Sequence, residues 1–173
     1  AVFRPGKPVD PTKPPKYGIT MLFDKNTDLS PLMNAMVDFM TKKFGPNKDT
    51  WPKLSRNPFR DQGEKTFEGY VAGAKFINAS SNTKPGLVDA SNNDIINEAD
   101  FYPGCYARAT VRPFWYDKAG NKGVAFGLQN IQKLGDGEPL GGRVVASKEF
   151  EPVAPANGGG SADTAKTAAD LFG

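Results

Sequence analysis

Two long β-prone segments around a short turn constrain the fold of this chain more than any other feature. Gly104–Asp117 and Lys122–Leu134 are rich in aromatic and β-branched residues, and the tetrapeptide Lys118-Ala119-Gly120-Asn121 lies between them. Such runs, joined by a few residues that include glycine, are typical of two antiparallel strands and their turn. The sequence therefore predicts a long β-hairpin and, with it, a β-rich domain.

Alternation along the first strand gives this hairpin two different faces. One face is small and apolar, as a core lining should be, and comprises Cys105, Ala107, Ala109, Val111, Pro113 and Trp115. The other mixes aromatic and cationic side chains, and comprises Tyr106, Arg108, Thr110, Arg112, Phe114 and Tyr116. A bulge at Pro113, which has no backbone N–H, would exchange Trp115 with Phe114 and Tyr116 between the faces.

The second face has two interpretations that the pattern alone leaves open. Arginine neutralises phosphate and aromatic rings stack on unpaired bases, so the face fits a surface for single-stranded nucleic acid. Alternatively, the aromatic rings cover a hydrophobic patch and the arginine stems lie across it. Weaker candidates that would extend a basic groove are Arg56, Arg60 and Lys65 in a loop, Tyr70 and Lys75 on a strand, and Lys122 in the hairpin.

The remaining pattern predicts further strands and one helix. Strands are expected at Tyr17–Phe23, Phe67–Ala79, Leu87–Val88 and Val144–Phe150, with a loop at 46–66. The helix is expected to begin at Ser30 as N-cap, to carry a methionine-rich apolar stripe as far as Phe44, and to end at Gly45-Pro46. Residues 1–16 contain five prolines between Arg4 and Lys16 and predict an extended or mobile arm.

Composition divides the 173 residues into one domain at 1–151 and a flexible tail at 152–173 that is rich in proline, alanine, glycine and serine. The net charge is +3, but residues 151–173 sum to −2, which leaves +5 for residues 1–150. A basic body with a weakly acidic tail favours a polyanionic partner.

Several kinds of chemistry are excluded by residue content. The sequence has no histidine and one cysteine, so it offers no Ser-His-Asp or Cys-His mechanism, no disulfide framework and no Cys/His zinc site. The glycine-rich residues 135–142 lack the Lys-Ser/Thr of a phosphate-binding loop, and the acidic residues show no cluster that suits a metal-dependent nuclease. We expect no enzyme, no cofactor, no metal site and no membrane span.

Three segments carry a resemblance to a known family: PFRDQGEKTFEGY, FINASSNTKPGLVDA and FYPGCYARATVRPFWYDKAGNKGVAFGLQNIQKLGDGEPLGG. They resemble the phage-encoded single-stranded-DNA-binding proteins once classed as a domain of unknown function, from about Tyr17 to Gly142. The resemblance implies an OB-fold that coats DNA in replication or recombination, with Gly104–Leu134 supplying two barrel strands and much of the DNA surface. Such proteins carry an additional first strand, here represented at most by Ala1–Phe3, and a more acidic tail.

Together these observations predict an all-β, OB-fold-like antiparallel barrel with one packed helix. The expected function is sequence-tolerant binding of single-stranded DNA in the cytoplasm of an infected bacterium, with replication or recombination proteins as partners of the tail, and a homodimer is left open. The alternative is a structural or virion module that uses the aromatic face for protein–protein contact, because interfaces favour the same residue types.

Overall fold

Six strands and one α-helix form the part of the chain that the computed structural model describes, residues 2–8 and 11–141. The helix α1 spans Ser30–Phe44. The strands are β1 Tyr17–Leu22, β2 Arg60–Asp61, β3 Lys75–Ser81, β4 Gly86–Val88, β5 Tyr106–Lys118 and β6 Asn121–Gly135. Three 3₁₀ turns lie at Lys48–Thr50, Gln62–Glu64 and Glu98–Asp100.

The strand β6 organises the sheet because its 15 residues are long enough to serve several partners. Along one edge it pairs with β5 in an antiparallel ladder, and β3 and β4 pair with it in parallel. The strand β1 then pairs antiparallel with β3, and the two residues of β2 pair with the start of β3. The result is one mixed six-stranded sheet.

This sheet corrects the predicted antiparallel barrel in two respects. The pairings of β3 and β4 with β6 are parallel, whereas the predicted barrel was antiparallel. Within residues 2–8 and 11–141, β1 pairs with β3 and β5 pairs with β6, and no ladder joins β1 to β5. The described sheet is therefore open, although the prediction of a mostly β fold with one helix is confirmed.

The core lies on the sheet face that carries Ile77, Ala79, Phe126, Leu128 and Ile131, each at most 4% exposed. The helix packs on this face through its apolar stripe, in which Met40 is buried and Leu32 and Met36 are partly buried. The predicted helix is thus confirmed, with one change at its start. The N-cap is Leu29 rather than Ser30, and the Asp28 carboxylate accepts the Ser30 N–H at 2.9 Å.

The hairpin, the strand at residues 17–22 and the short strand around Leu87 are confirmed, but the predicted strand over Phe67–Ala79 begins only at Lys75. Residues 67–74 form turns in which Gly69 and Gly73 have φ of +80° and +84°. Left-handed backbone of this kind cannot continue a strand. The predicted loop at 46–66 also contains the short β2 and two 3₁₀ turns.

The proline-rich start of the chain is held against the domain rather than free. Val2 is 7% exposed within the core cluster, and the Gly6 N–H donates to the Lys16 carbonyl at 2.7 Å. The predicted strand at Val144–Phe150 and the tail at 152–173 lie outside the described residues.

Candidate nucleic-acid interface

The register of β5 on β6 decides which side chains share a face. Val111, Pro113 and Trp115 lie opposite Leu128, Phe126 and Val124, respectively, all three of which are buried. The Trp115 ring also meets Phe44 of α1 edge-on, with 4.9 Å between ring centroids. The predicted core face of β5 is therefore confirmed at Val111, Pro113 and Trp115, with Trp115 towards the helix, whereas Ala107 at the start of the strand is exposed.

No bulge occurs at Pro113. The register shifts lie between Tyr106 and Ala107 and between Thr110 and Val111, and in both places the extra residue belongs to β6. The alternation along β5 is therefore uninterrupted. Proline is tolerated there because, in the described part of the chain, β5 pairs with β6 along one edge and its other edge is unpaired. A backbone nitrogen that points towards the unpaired edge needs no N–H donor.

The face of the hairpin away from the core combines large side chains on β5 with small residues on β6. Arg112, Phe114 and Tyr116 lie opposite Gly127, Ala125 and Gly123. Phe114 is 40% exposed. A Cβ at Gly123 would lie 2.5 Å from the Tyr116 hydroxyl oxygen, so the Tyr116 side chain lies across the glycine. We call this surface, together with Asn78 of the neighbouring strand β3, the open face.

A shallow cleft of about 140 Å³ continues the open face towards the loop that precedes β2. One side of the cleft is formed by Tyr116, Ala125 and Asn78. The other side is formed by Arg56, Asn57 and Pro58 of the loop and by Arg60 of β2. The cleft thus places two arginines opposite an aromatic side chain and a polar amide.

The arginine Arg60 is held firmly in this wall. Its guanidinium carbon lies 4.9 Å from the centroid of the Phe76 ring, which is 1% exposed. Its Nε and Nη2 atoms donate to Glu64 Oε2 at 2.9 and 2.5 Å. These hydrogen bonds lower the pKa of the Glu64 carboxyl below its ordinary value of 4.5.

The arginines of β5 differ in their partners. Arg108 Nε donates to Gln132 Oε1 at 2.7 Å, and the Gln132 amide nitrogen donates to the Asp89 carbonyl at 3.1 Å and to Asn92 Oδ1 at 2.9 Å. Arg112 is exposed and makes no ion pair with any carboxylate of residues 2–8 and 11–141. Its charge is therefore available to an anionic ligand.

The structure brings together some of the predicted site residues and separates others. Arg60, Arg112, Phe114 and Tyr116 lie on or beside the open face, and Arg108 and the 67% exposed Tyr106 lie further along the same face of β5. Tyr70 lies in a turn rather than on a strand, with its ring edge-on to Phe67 and Phe76.

The predicted lysines do not join this group. Lys75 lies on the same side of β3 as the core residues Ile77 and Ala79 and pairs with Asp61 at 3.4 Å. Lys122 shares the side of Val124 and pairs with Asp117 at 3.4 Å. Both positions point away from the open face because side chains alternate between the two sides of a strand.

Six cleft residues were not predicted as site residues from the sequence: Asn57, Pro58, Asn78, Val124, Ala125 and Phe126. A pattern in β6 indicates part of this surface, because small residues at 123, 125 and 127 alternate with Val124, Phe126 and Leu128. Such alternation gives a strand one packed face and one face without bulk. The loop residues carry no comparable sequence pattern.

Three further features of the described residues concern metal ligation, cysteine chemistry and membrane insertion. No group of three or more carboxylate or cysteine side chains is placed there to hold a metal ion. Burial raises the pKa of the Cys105 thiol, which disfavours the reactive thiolate. Within residues 2–8 and 11–141, no helix has the length and apolarity of a membrane span.

The fold is shared with solved structures of phage single-stranded DNA-binding proteins. The structure described as the single-stranded DNA-binding protein from bacteriophage Enc34 in complex with ssDNA aligns with a TM-score of 0.64 at 20% identity, over 81% of this chain and 82% of that one. A C-terminal truncation of the same phage protein aligns with a TM-score of 0.63 at 20% identity, over 80% of each chain.

The chain belongs to the family described as Enterobacter phage Enc34, ssDNA-binding protein, whose model matches residues 1–160. A curated relative, the putative protein p50 of Acyrthosiphon pisum secondary endosymbiont phage 1, is 31% identical over 151 residues, which are 82% of this chain and 81% of the relative. The resemblance carried by the three sequence segments is thereby confirmed.

Proposed function

We propose that this protein binds single-stranded DNA through the open face, with little dependence on base sequence. The observation that carries the proposal is the unpaired Arg112 beside Phe114 and Tyr116, above the small residues of β6. A member of a family named for single-stranded DNA binding thus presents the cation and aromatic rings that such binding needs.

The proposed mechanism divides the work between two kinds of contact. Arg112 and Arg56 neutralise phosphates along the strand, while unstacked bases lie on the rings of Phe114 and Tyr116. Each base–aromatic stack is worth about 1–3 kcal/mol and tolerates any base, because every base has a π-face. Duplex DNA keeps its bases stacked inside the helix and can offer the open face its backbone alone.

The proposal has a biological setting that the family supports. The protein acts on DNA inside the infected bacterium, in replication or recombination, and performs no catalysis. We also propose that the open sheet is related to the OB-fold, which the sequence motifs shared with the family support. The proposal includes replication or recombination proteins as partners of the tail at 152–173, and it leaves a homodimer open.

Fluorescence anisotropy with labelled oligo-dT and a duplex of equal length tests the proposal. Single strands should bind more tightly than the duplex. Affinity for oligo-dT should fall with salt at a log–log slope of about −2 to −4, if about three to six phosphates are neutralised at about 0.7 each. Equal affinity for the duplex, or an affinity that salt leaves unchanged, contradicts the proposal.

A further inference from the structure

Two arginines beside the open face have opposite surroundings. Arg112 is exposed and makes no ion pair in the described part of the chain. Arg60 has 19% of its side chain exposed, lies over the Phe76 ring, and donates two hydrogen bonds to Glu64. Both are cations, but only the first has its charge free for a phosphate.

The segment that holds Arg60 is itself anchored at several points. Glu64 Oε1 accepts the Asp61 N–H at 3.3 Å, and Asp61 Oδ1 accepts the backbone N–H groups of Gly63 and Gly73 at 2.8 and 3.0 Å. Gln62, 2% exposed, donates from Nε2 to the Phe23 and Lys75 carbonyls at 2.9 and 2.8 Å. The guanidinium plane therefore has a fixed position at the wall of the cleft.

We infer that Arg60 is a base-stacking platform rather than a phosphate contact, and that Glu64 is the residue that positions it. The inference rests on the proposed function and assigns a role within it. Phe76 covers one side of the guanidinium and Glu64 occupies its edge, so the surface left at the cleft is planar and its charge is compensated. Guanidinium planes stack on bases in nucleic-acid complexes, as aromatic rings do.

The two roles differ in how they depend on salt. A phosphate contact releases counterions, so its loss reduces the slope of log affinity against log salt by about 0.7. A platform whose charge is already paired releases none, so its loss lowers affinity and leaves the slope unchanged. Lysine distinguishes the roles further, because it keeps the positive charge and lacks the plane.

The test uses the full chain with labelled oligo-dT at four or more salt concentrations. Arg60→Lys should weaken binding about tenfold with the wild-type slope, a loss typical of one base stack. Glu64→Gln should steepen the slope by up to about 0.7, because the released guanidinium can then neutralise a phosphate. Arg112→Ala is the matched control and should reduce the slope by about 0.7.

Melting temperatures of all variants separate a loss of stability from a loss of binding. Arg60→Ala would expose the Phe76 ring, whereas Arg60→Lys retains most of the aliphatic stem that covers it. The inference is overturned if Arg60→Lys binds as tightly as the wild type, or if Arg60→Ala reduces the slope as Arg112→Ala does. In either case salt-dependent binding of the wild-type chain still supports the proposed function. Absence of oligo-dT binding by the wild type removes the proposed function and this inference together.

Discussion

The neighbouring aromatic residues Phe114 and Trp115 provide a matched pair on opposite faces of β5. Phe114 is on the open face and 40% exposed, while Trp115 is half-buried against Phe44 of the helix. We expect Phe114→Ala to weaken oligo-dT binding and to leave stability nearly unchanged. We expect Trp115→Ala to lower stability and to leave binding nearly unchanged.

The magnitudes follow from these surroundings. A fully buried aromatic residue costs about 3–5 kcal/mol when truncated to alanine. Trp115 is only partly buried, but it adds an edge-to-face contact worth about 0.5–1.5 kcal/mol, so we expect a loss of about 2–3 kcal/mol. For a domain of this size that corresponds to a melting temperature lower by about 5–10 °C. Phe114→Ala removes one stack, or about 1–3 kcal/mol of binding free energy.

The assay combines thermal unfolding by circular dichroism with oligo-dT titration of the same samples, well below the melting temperature. The face assignment is refuted if Trp115→Ala loses DNA binding while Phe114→Ala loses stability. If neither substitution changes DNA affinity, the open face is not the binding surface.

Three further outcomes are expected from single side chains. Gly123→Ala should weaken oligo-dT binding several-fold, because its Cβ would lie 2.5 Å from the Tyr116 hydroxyl oxygen. The control Gly127→Ala, whose Cβ would have its nearest neighbour at 3.6 Å, should bind as the wild type does. Equal affinities of the two variants for oligo-dT would contradict this. Gly69→Ala should lower the melting temperature more than Gly73→Ala. Both glycines have positive φ, but of the two only a Cβ at Gly69 would clash with the Leu140 side chain. The reverse order of melting temperatures would be inconsistent with this packing. The N–H groups of Gly63 and Gly73 lower the pKa of Asp61 below 3.8 in the folded state, so its contribution to stability is present above that pH and is lost as the pH falls through the folded value. Denaturant unfolding between pH 5 and 2 should therefore show a smaller loss for Asp61→Asn than for the wild type, and identical curves would exclude this contribution.

The hairpin and its faces could be predicted because they depend on local pattern. Strands β5 and β6 are adjacent in sequence, and the turn residues Ala119 and Gly120 adopt the positive φ values of +50° and +82° that two-residue hairpins favour. The helix was predictable for the same reason, since its stripe and its end at Gly45 are local features. Family membership was predictable because three sequence segments resemble those of a known family, not because of any periodicity or charge pattern.

The errors arose where tertiary contacts decide. Residues 67–74 contain β-prone side chains, but Gly69 and Gly73 adopt left-handed backbone, and Gly69 provides room for the distant Leu140. Lys75 and Lys122 carry the expected charge, but alternation within their strands directs them away from the open face. Sheet closure depends on whether β1 and β5 meet, and no local pattern encodes the pairing of two strands so far apart in sequence.

Photochemical cross-linking tests the central claim, that single-stranded DNA lies on the open face, most directly. The full chain is irradiated with oligonucleotides containing 5-iododeoxyuridine, and cross-linked residues are identified by mass spectrometry. The expected cross-links are at Phe114 and Tyr116, and unlabelled oligo-dT should compete them away. Cross-links confined to Trp115 and the aromatic residues of α1, with none at Phe114 or Tyr116, would place the DNA on the opposite side of the sheet and contradict the claim.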